Sequence, residues 1–180
     1  GADTTAVLLG VPEEGVHLAV DLGTNGEIAV GNARDGFLTS STACGPALEG
    51  GNIECGMRGS EGAIDHADIT PDGELRFHVL GEGEAKGLCG SGIIDVIAEL
   101  YRTSAISSKG QFARENPRIL RDQHGMGRYV LATKQESETG REIAITEVDI
   151  ESFIRAKGAI FSAIATLLQS VDMPVEAIEN

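Results

Sequence analysis

At 180 residues, with 41% hydrophobic and 23% charged side chains, the chain has the size and mix of one soluble globular domain with a core of its own. A formal net charge of −14 repels phosphate backbones and anionic membrane surfaces, and 4% aromatics with no Trp offer no base-stacking platform, so nucleic acid and membrane are poor partners. No signal peptide and no apolar run of transmembrane length is present, and three cysteines (Cys44, Cys55, Cys89) without CxxC spacing fit a reducing cytoplasm and cannot supply the four ligands of an iron–sulfur cluster.

Along the chain, Val16–Leu22 is an apolar β-type run ending beside Asp21, and Gly23-Thr24-Asn25-Gly26 reads as a hairpin turn centred on Asn-Gly, a pair that tolerates positive φ. Ile28–Val30 makes the return strand. A second turn over 32–36 leads into Phe37–Thr42, so the opening is an antiparallel three-strand meander with no crossover helix, which argues against a Rossmann unit. Gly45–Gly51 reads as a glycine-flanked turn or single helical turn. Ala63–Thr70 and Glu74–Leu80 form a hairpin closed at Pro71-Asp72-Gly73, and Gly87–Gly92 opens a helix over Ile93–Arg102. Residues 104–145 read as an insertion over the sheet, with a strand pair near 128–132 and 142–145. Thr146 with Asp149 is an acidic variant of the capping box. The helix behind it, running to about Val171, carries apolar groups at 150, 153, 154, 157 (the stem of Lys157), 160, 161, 164, 167, 168 and 171 as its core face. The four histidines (His17, His66, His78, His124) show no HxxxH or HxH pairing for zinc, and His66 and His78 are expected to face solvent or a partner strand.

The chemistry concentrates at the turns. A carboxylate at a strand end followed by a small-residue turn suits a phosphate: turn N–H groups point at the anion, Thr24 and Asn25 add side-chain donors, and Gly23 and Gly26 leave room for close approach. Asp21 then holds Mg²⁺ through a water. Gly90, Ser91 and Gly92, at a helix N-terminus, are a second anion candidate, with close helix–sheet packing as the alternative explanation of the glycines. Glu49 and Glu27 are the carboxylates near these turns able to orient a water, with Glu49 the weak catalytic candidate. No Ser–His–Asp set, HExxH or P-loop lysine is visible.

Strand, DxGT turn, two strands, a glycine-rich turn and a long helix resemble the actin–sugar kinase–heat-shock chaperone (ASKHA) superfamily. More narrowly, Val20–Ile28 (VDLGTNGEI), Ser41–Ile53 (STACGPALEGGNI) and Gly87–Asp95 (GLCGSGIID) resemble the C-terminal domain of reductive activators of corrinoid proteins, the RACo/RamA-type metallo-ATPases. The resemblance runs from Ala2 through the last long helix and is thinnest over 104–145. It implies an α/β (mixed-sheet) ribonuclease-H-like lobe over residues 1–180, with Asp21–Gly26 as the second phosphate motif and Gly87–Gly92 near the nucleotide cleft. ATP and Mg²⁺ are the implied cofactors, and an iron–sulfur cluster is expected only in a domain outside this chain. The implied partners are a corrinoid protein or corrinoid-dependent methyltransferase and the other ASKHA lobe of the same protein, in the cytoplasm, with a homodimer left open.

Without an initiator Met, and ending at Asn180, the chain reads as cut from a longer protein and as half of an ATPase site, inactive by itself. Two other outputs fit the same phosphate turn: a nucleotide-gated, chaperone-type protein-binding module, which needs a peptide-binding domain, or a small-molecule kinase lobe, which needs a catalytic base. A domain that keeps the fold only for dimerisation or docking is the remaining alternative.

Overall fold

The computed structural model describes residues 2–179. By internal contacts the chain falls into two compact units, one of residues up to Gly45 together with those from Arg155, the other Pro46–Ile154.

The first unit opens with a short helix, α1 (Ala2–Leu8), followed by β1 (His17–Leu22), β2 (Asn25–Asn32) and β3 (Gly36–Ala43). These form the antiparallel meander in the order β1-β2-β3, with Val20 opposite Ile28 and Asn25 opposite Ala43. Ile28, Ala29 and Val30 are consecutive and all buried, so both faces of the central strand are covered. The second turn is held by Asn32, whose amide donates to Gly15 O at 2.8 Å and whose Oδ1 accepts the Asp35 N–H at 2.7 Å. Gly31 has φ of 144°, and a Cβ there would collide with Gly36 O.

The first turn differs from the expectation in its centre. Asn25 and Gly26 already belong to β2, and Gly23 and Thr24 make the reversal, closed by the Gly23 N–H donating to Asn25 O at 3.0 Å. None of these four residues has positive φ, so the conformational freedom of Asn-Gly is not what turns the chain.

The second unit begins with a 3₁₀ turn, Pro46–Glu49. It continues through β4 (Ala63–Ile69), β5 (Leu75–Val79), β6 (Gly87–Leu88), α2 (Gly90–Arg102), β7 (Ile119–Arg121), β8 (Gly127–Ala132), β9 (Ile143–Thr146) and the start of α3 (Glu147–Gln169). One sheet has the order β5-β4-β6, with β6 parallel to β4, and a second has the order β7-β8-β9. Residues 104–145, read from the sequence as an insertion, contribute Ile106, Phe112, Tyr129, Leu131, Ile143 and Ile145 to the same core cluster as Ile64, Ile93 and Leu100. The physical cause is the composition of β8 and β9, whose apolar residues need cover on both faces.

Helix α2 buries Ile93, Val96, Ile97 and Leu100, one stripe at helical spacing. Beyond Ile64 one edge of β4 has no strand beside it, and α2 side chains occupy it. Asp95 accepts the Ala67 N–H at 3.4 Å, Glu99 accepts the Ile69 N–H at 2.6 Å, and Arg102 donates to Ile69 O at 2.5 Å. An edge that would otherwise pair with another chain is thereby closed by polar groups one helical turn apart.

Helix α3 starts on the predicted box: the Thr146 hydroxyl accepts the Asp149 N–H at 3.1 Å and the Asp149 carboxylate accepts the Thr146 N–H at 2.9 Å. Asp149 is 3% exposed and takes the Glu54 N–H as well, so both of its buried carboxyl oxygens are bonded. The core stripe expected along this helix fails at Phe161, which is 71% exposed, at the exposed Lys157, and at Val171, which is 39% exposed and lies past the helix end. Among the described residues no helix is long and apolar enough to cross a membrane.

Candidate functional site

The phosphate-turn candidates stand together at one end of the meander. Asp21 is half-buried near the end of β1, and its Oδ2 accepts the Thr4 hydroxyl of α1 at 3.1 Å. Thr24 and Asn25 are exposed, Gly23 is half-buried and Gly26 is buried. The exit of β3 closes on this turn from one side. The Gly45 N–H donates to Thr24 O at 3.1 Å, and the Cys44 thiol donates to Gly23 O at 3.3 Å. Gly26 has a packing role, since a Cβ there would stand 3.0 Å from Ile160 Cγ1 of α3. A half-buried carboxylate next to an exposed turn of hydroxyl, amide and backbone N–H donors is a donor set that fits a phosphate with a hydrated divalent cation.

The second group divides. Glu49 and Gly90 line one cleft of about 620 Å³, together with Gly51 and the exposed Arg58. Ser91 is exposed in the first turn of α2, and its hydroxyl lies 3.3 Å from the Cys89 thiol. Gly92 is buried, and a Cβ on it would overlap Ile64 O of β4; a Cβ on Gly90 would overlap Leu48 O, and one on Gly87 would stand 2.5 Å from Cys55 O. Close packing alone therefore requires glycine at all three positions. The Cys89 N-cap makes no side-chain bond to the helix end.

Two histidines form pairs that motif reading did not find. His66 and His78 are register partners across β4 and β5, both exposed. The His66 ring contacts Asp95, and His78 Nδ1 sits 2.6 Å from Asp65 Oδ1, a bond that holds the Asp65 carboxyl below its ordinary range. Among the described residues no group of three or more His, Cys, Asp or Glu converges as a metal site. Of the free cysteines, Cys89 is buried and Cys44 and Cys55 are half-buried, and burial pushes the Cys55 thiol up.

A family profile described as the C-terminal domain of RACo, the ASKHA domain, matches residues 15–180. The chain belongs to this family. Its similarity to the corrinoid activation enzyme RamQ of Eubacterium limosum is 41% identity over 189 residues, covering 100% of this chain and 32% of the relative. The "[Co(II) methylated amine-specific corrinoid protein] reductase" of Methanosarcina barkeri is 31% identical over 207 residues, covering 99% of this chain and 34% of its own. A solved structure titled as a reductive activator for a corrinoid, iron–sulfur protein superposes with a TM-score of 0.86 at 38% identity, over 98% of this chain and 28% of that one. The chain thus spans about a third of the length of the curated relatives it matches. The RACo C-terminal family carries the ASKHA fold, in agreement with the mixed α/β architecture here.

Thr4 and Cys44 are the turn contacts that motif reading missed. The register contains a signal for Cys44: extending the pairing of Asn25 with Ala43 by one residue sets Cys44 opposite Thr24. Nothing in the sequence pattern announces Thr4, which reaches Asp21 from 17 residues away.

Proposed function

We propose that residues 1–180 form one lobe, the second-phosphate half, of an ATP site in a protein that uses ATP to drive reduction of inactive Co(II) corrinoid proteins to Co(I). The observation that carries this reading is that relatives matching along essentially the whole chain bear the names of corrinoid activators and reductases. Support from the chain itself comes from the exposed Thr24 and Asn25 beside the Asp21 carboxylate.

In this reading Thr24 and Asn25 would donate to phosphate oxygens, Gly23 would let the backbone come close, and Asp21 would hold magnesium through a water. Gly26, although part of the motif, acts from behind by seating α3, with Ile160 packed where a Cβ would stand. Glu49 is the carboxylate available to orient a water in the cleft that Gly90 also lines, with Ser91 and Gly92 following in the first turn of α2. Bound MgATP supplies the free energy by which lobe closure favours the electron-transfer complex. The one-electron donor is an iron–sulfur cluster elsewhere in the protein, and the partners are a corrinoid protein or corrinoid-dependent methyltransferase and the opposing lobe. A cytoplasmic location, and a homodimer as one assembly, belong to the same proposal.

The test is ATP hydrolysis by the full-length protein that contains these residues, with and without an inactive Co(II) corrinoid protein. Stimulation by the corrinoid protein, with Co(I) forming only when ATP and a reductant are both present, is the expected result. Hydrolysis indifferent to corrinoid protein would leave an ATPase of another kind. Asp21→Ala should abolish ATP-dependent activation, and wild-type activation in that variant would reject the role given to Asp21.

A further inference from the structure

We propose that Cys44 is a positioning residue for the Gly23–Thr24 turn, its thiol holding the turn's carbonyls on the β3 side so that the N–H groups of Thr24 and Asn25 face the other way, toward a phosphate. The inference rests on the reading of Asp21–Gly26 as a phosphate turn.

Three observations carry it. The Cys44 thiol donates to Gly23 O at 3.3 Å and reaches Thr24 O at 3.6 Å. From the next residue the Gly45 N–H donates to the same Thr24 O at 3.1 Å. Gly45 can do so because its φ is +79°, a conformation that a residue with a side chain rarely adopts. Thus two consecutive carbonyls of the turn are bound from one side by two consecutive residues at the exit of β3. In a planar trans peptide the carbonyl and the following N–H point in opposite directions. Fixing Gly23 O fixes the direction of the Thr24 N–H, and fixing Thr24 O fixes that of the Asn25 N–H. Both then point away from the β3 exit. Preorganised N–H groups bind an oxyanion more tightly than groups that must reorient first.

The thiol suits the position physically. It is a compact, weakly polar donor, and it is half-buried against a turn whose two central residues offer carbonyls about equally near. Valine keeps the size and removes the donor, whereas serine keeps a donor.

The experiment measures the dissociation constant of MgATP for the full chain by equilibrium titration, for wild type, Cys44→Val and Cys44→Ser. The loss of one neutral hydrogen bond predicts a two- to tenfold weaker constant, roughly, for Cys44→Val, with Cys44→Ser within about twofold of wild type. Thermal unfolding of the same proteins reports whether the fold is intact. Alkylation of Cys44 by iodoacetamide, followed by peptide mass, should slow when MgATP is added to wild type. A Cys44→Val protein that binds MgATP as wild type does overturns the positioning role and leaves the phosphate turn standing. Wild type that neither binds MgATP nor shows protection of Cys44 overturns the phosphate-turn reading and this inference with it.

Discussion

The two compact units bury their apolar residues to different depths. In the unit of residues 46–154, Ile64, Leu88, Ile93, Leu100, Tyr129, Ile145 and Ile150 are all at 0% exposure. In the other unit the buried apolar residues are Ile28, Ala29, Val30, Ala156 and Leu168, while Leu9 at 85% and Phe161 at 71% stand exposed. Packing places glycines in both settings, Gly31 against Gly36 O in the one as much as Gly92 against Ile64 O in the other. Gly87, Gly90 and Gly92 are demanded by backbone oxygens where a Cβ would go, whereas nothing lies within 4 Å of the Cβ position at Gly45 or Gly158. A glycine-rich stretch is therefore evidence for a ligand only after the packing demand has been subtracted. That subtraction weakens the Gly87–Gly92 run as evidence for a ligand.

The sharpest way to break the comparison is a pair of truncations. Leu100→Ala in the deep core should cost about 2–5 kcal/mol, whereas Phe161→Ala should change stability by less than about 0.5 kcal/mol; urea denaturation of both variants measures the difference. Equal losses would mean that Phe161 is covered in the folded protein.

Next in size comes a pair of glycine substitutions. Gly92→Ala must push α2 away from Ile64 O, an overpacking worth about 1–3 kcal/mol. Gly158→Ala, in the interior of α3 with open space around it, should instead stabilise by about 0.5–1 kcal/mol. Opposite signs in the midpoints of thermal unfolding are the expected outcome.

Thr146→Ala removes the hydroxyl that caps α3 and should cost about 1 kcal/mol, visible in the same melts.

The smallest effect is one of pH. Arg102 bonded to Glu99, with the Ile69 N–H adding to it, lowers the Glu99 carboxyl from 4.5 to about 2. Its folded-state value lies below its unfolded one, so this contribution is present above about pH 4.5 and is lost as pH falls toward 2. Denaturant midpoints taken from pH 6 down to 2 should fall less steeply in Glu99→Gln than in wild type, and parallel slopes would remove the Arg102 clamp from the account.

Much of the fold was legible because it rests on near neighbours. The meander was readable from its apolar runs and turn residues to within about three residues at each strand end, the Pro71–Gly73 hairpin from its turn chemistry, and the start of α3 from Thr146 and Asp149. β7 was missed because three residues carry too little period to detect, and Phe161 was misplaced because periodicity marks an apolar face without saying that anything covers it. In the candidate site, Asp21–Asn25 was readable as a carboxylate and a donor-rich turn. The grip of Cys44 on that turn needed the strand register, and the contact of Thr4 with Asp21 needed the placement of α1.

By itself the sequence determined the meander strands, the Pro71–Gly73 hairpin and the cap of α3, since these depend on φ, ψ and side chains a few residues apart. Only the tertiary structure decided which glycines are packing residues. Gly92 meets the oxygen of Ile64 and Gly90 that of Leu48, backbone atoms brought there by the folding of β4 and of the 3₁₀ turn against α2. It likewise decided that Asp95 and Glu99 serve a strand edge: each bonds a backbone N–H nearly 30 residues earlier, at |i−j| of 28 and 30, a separation over which no local pattern carries information.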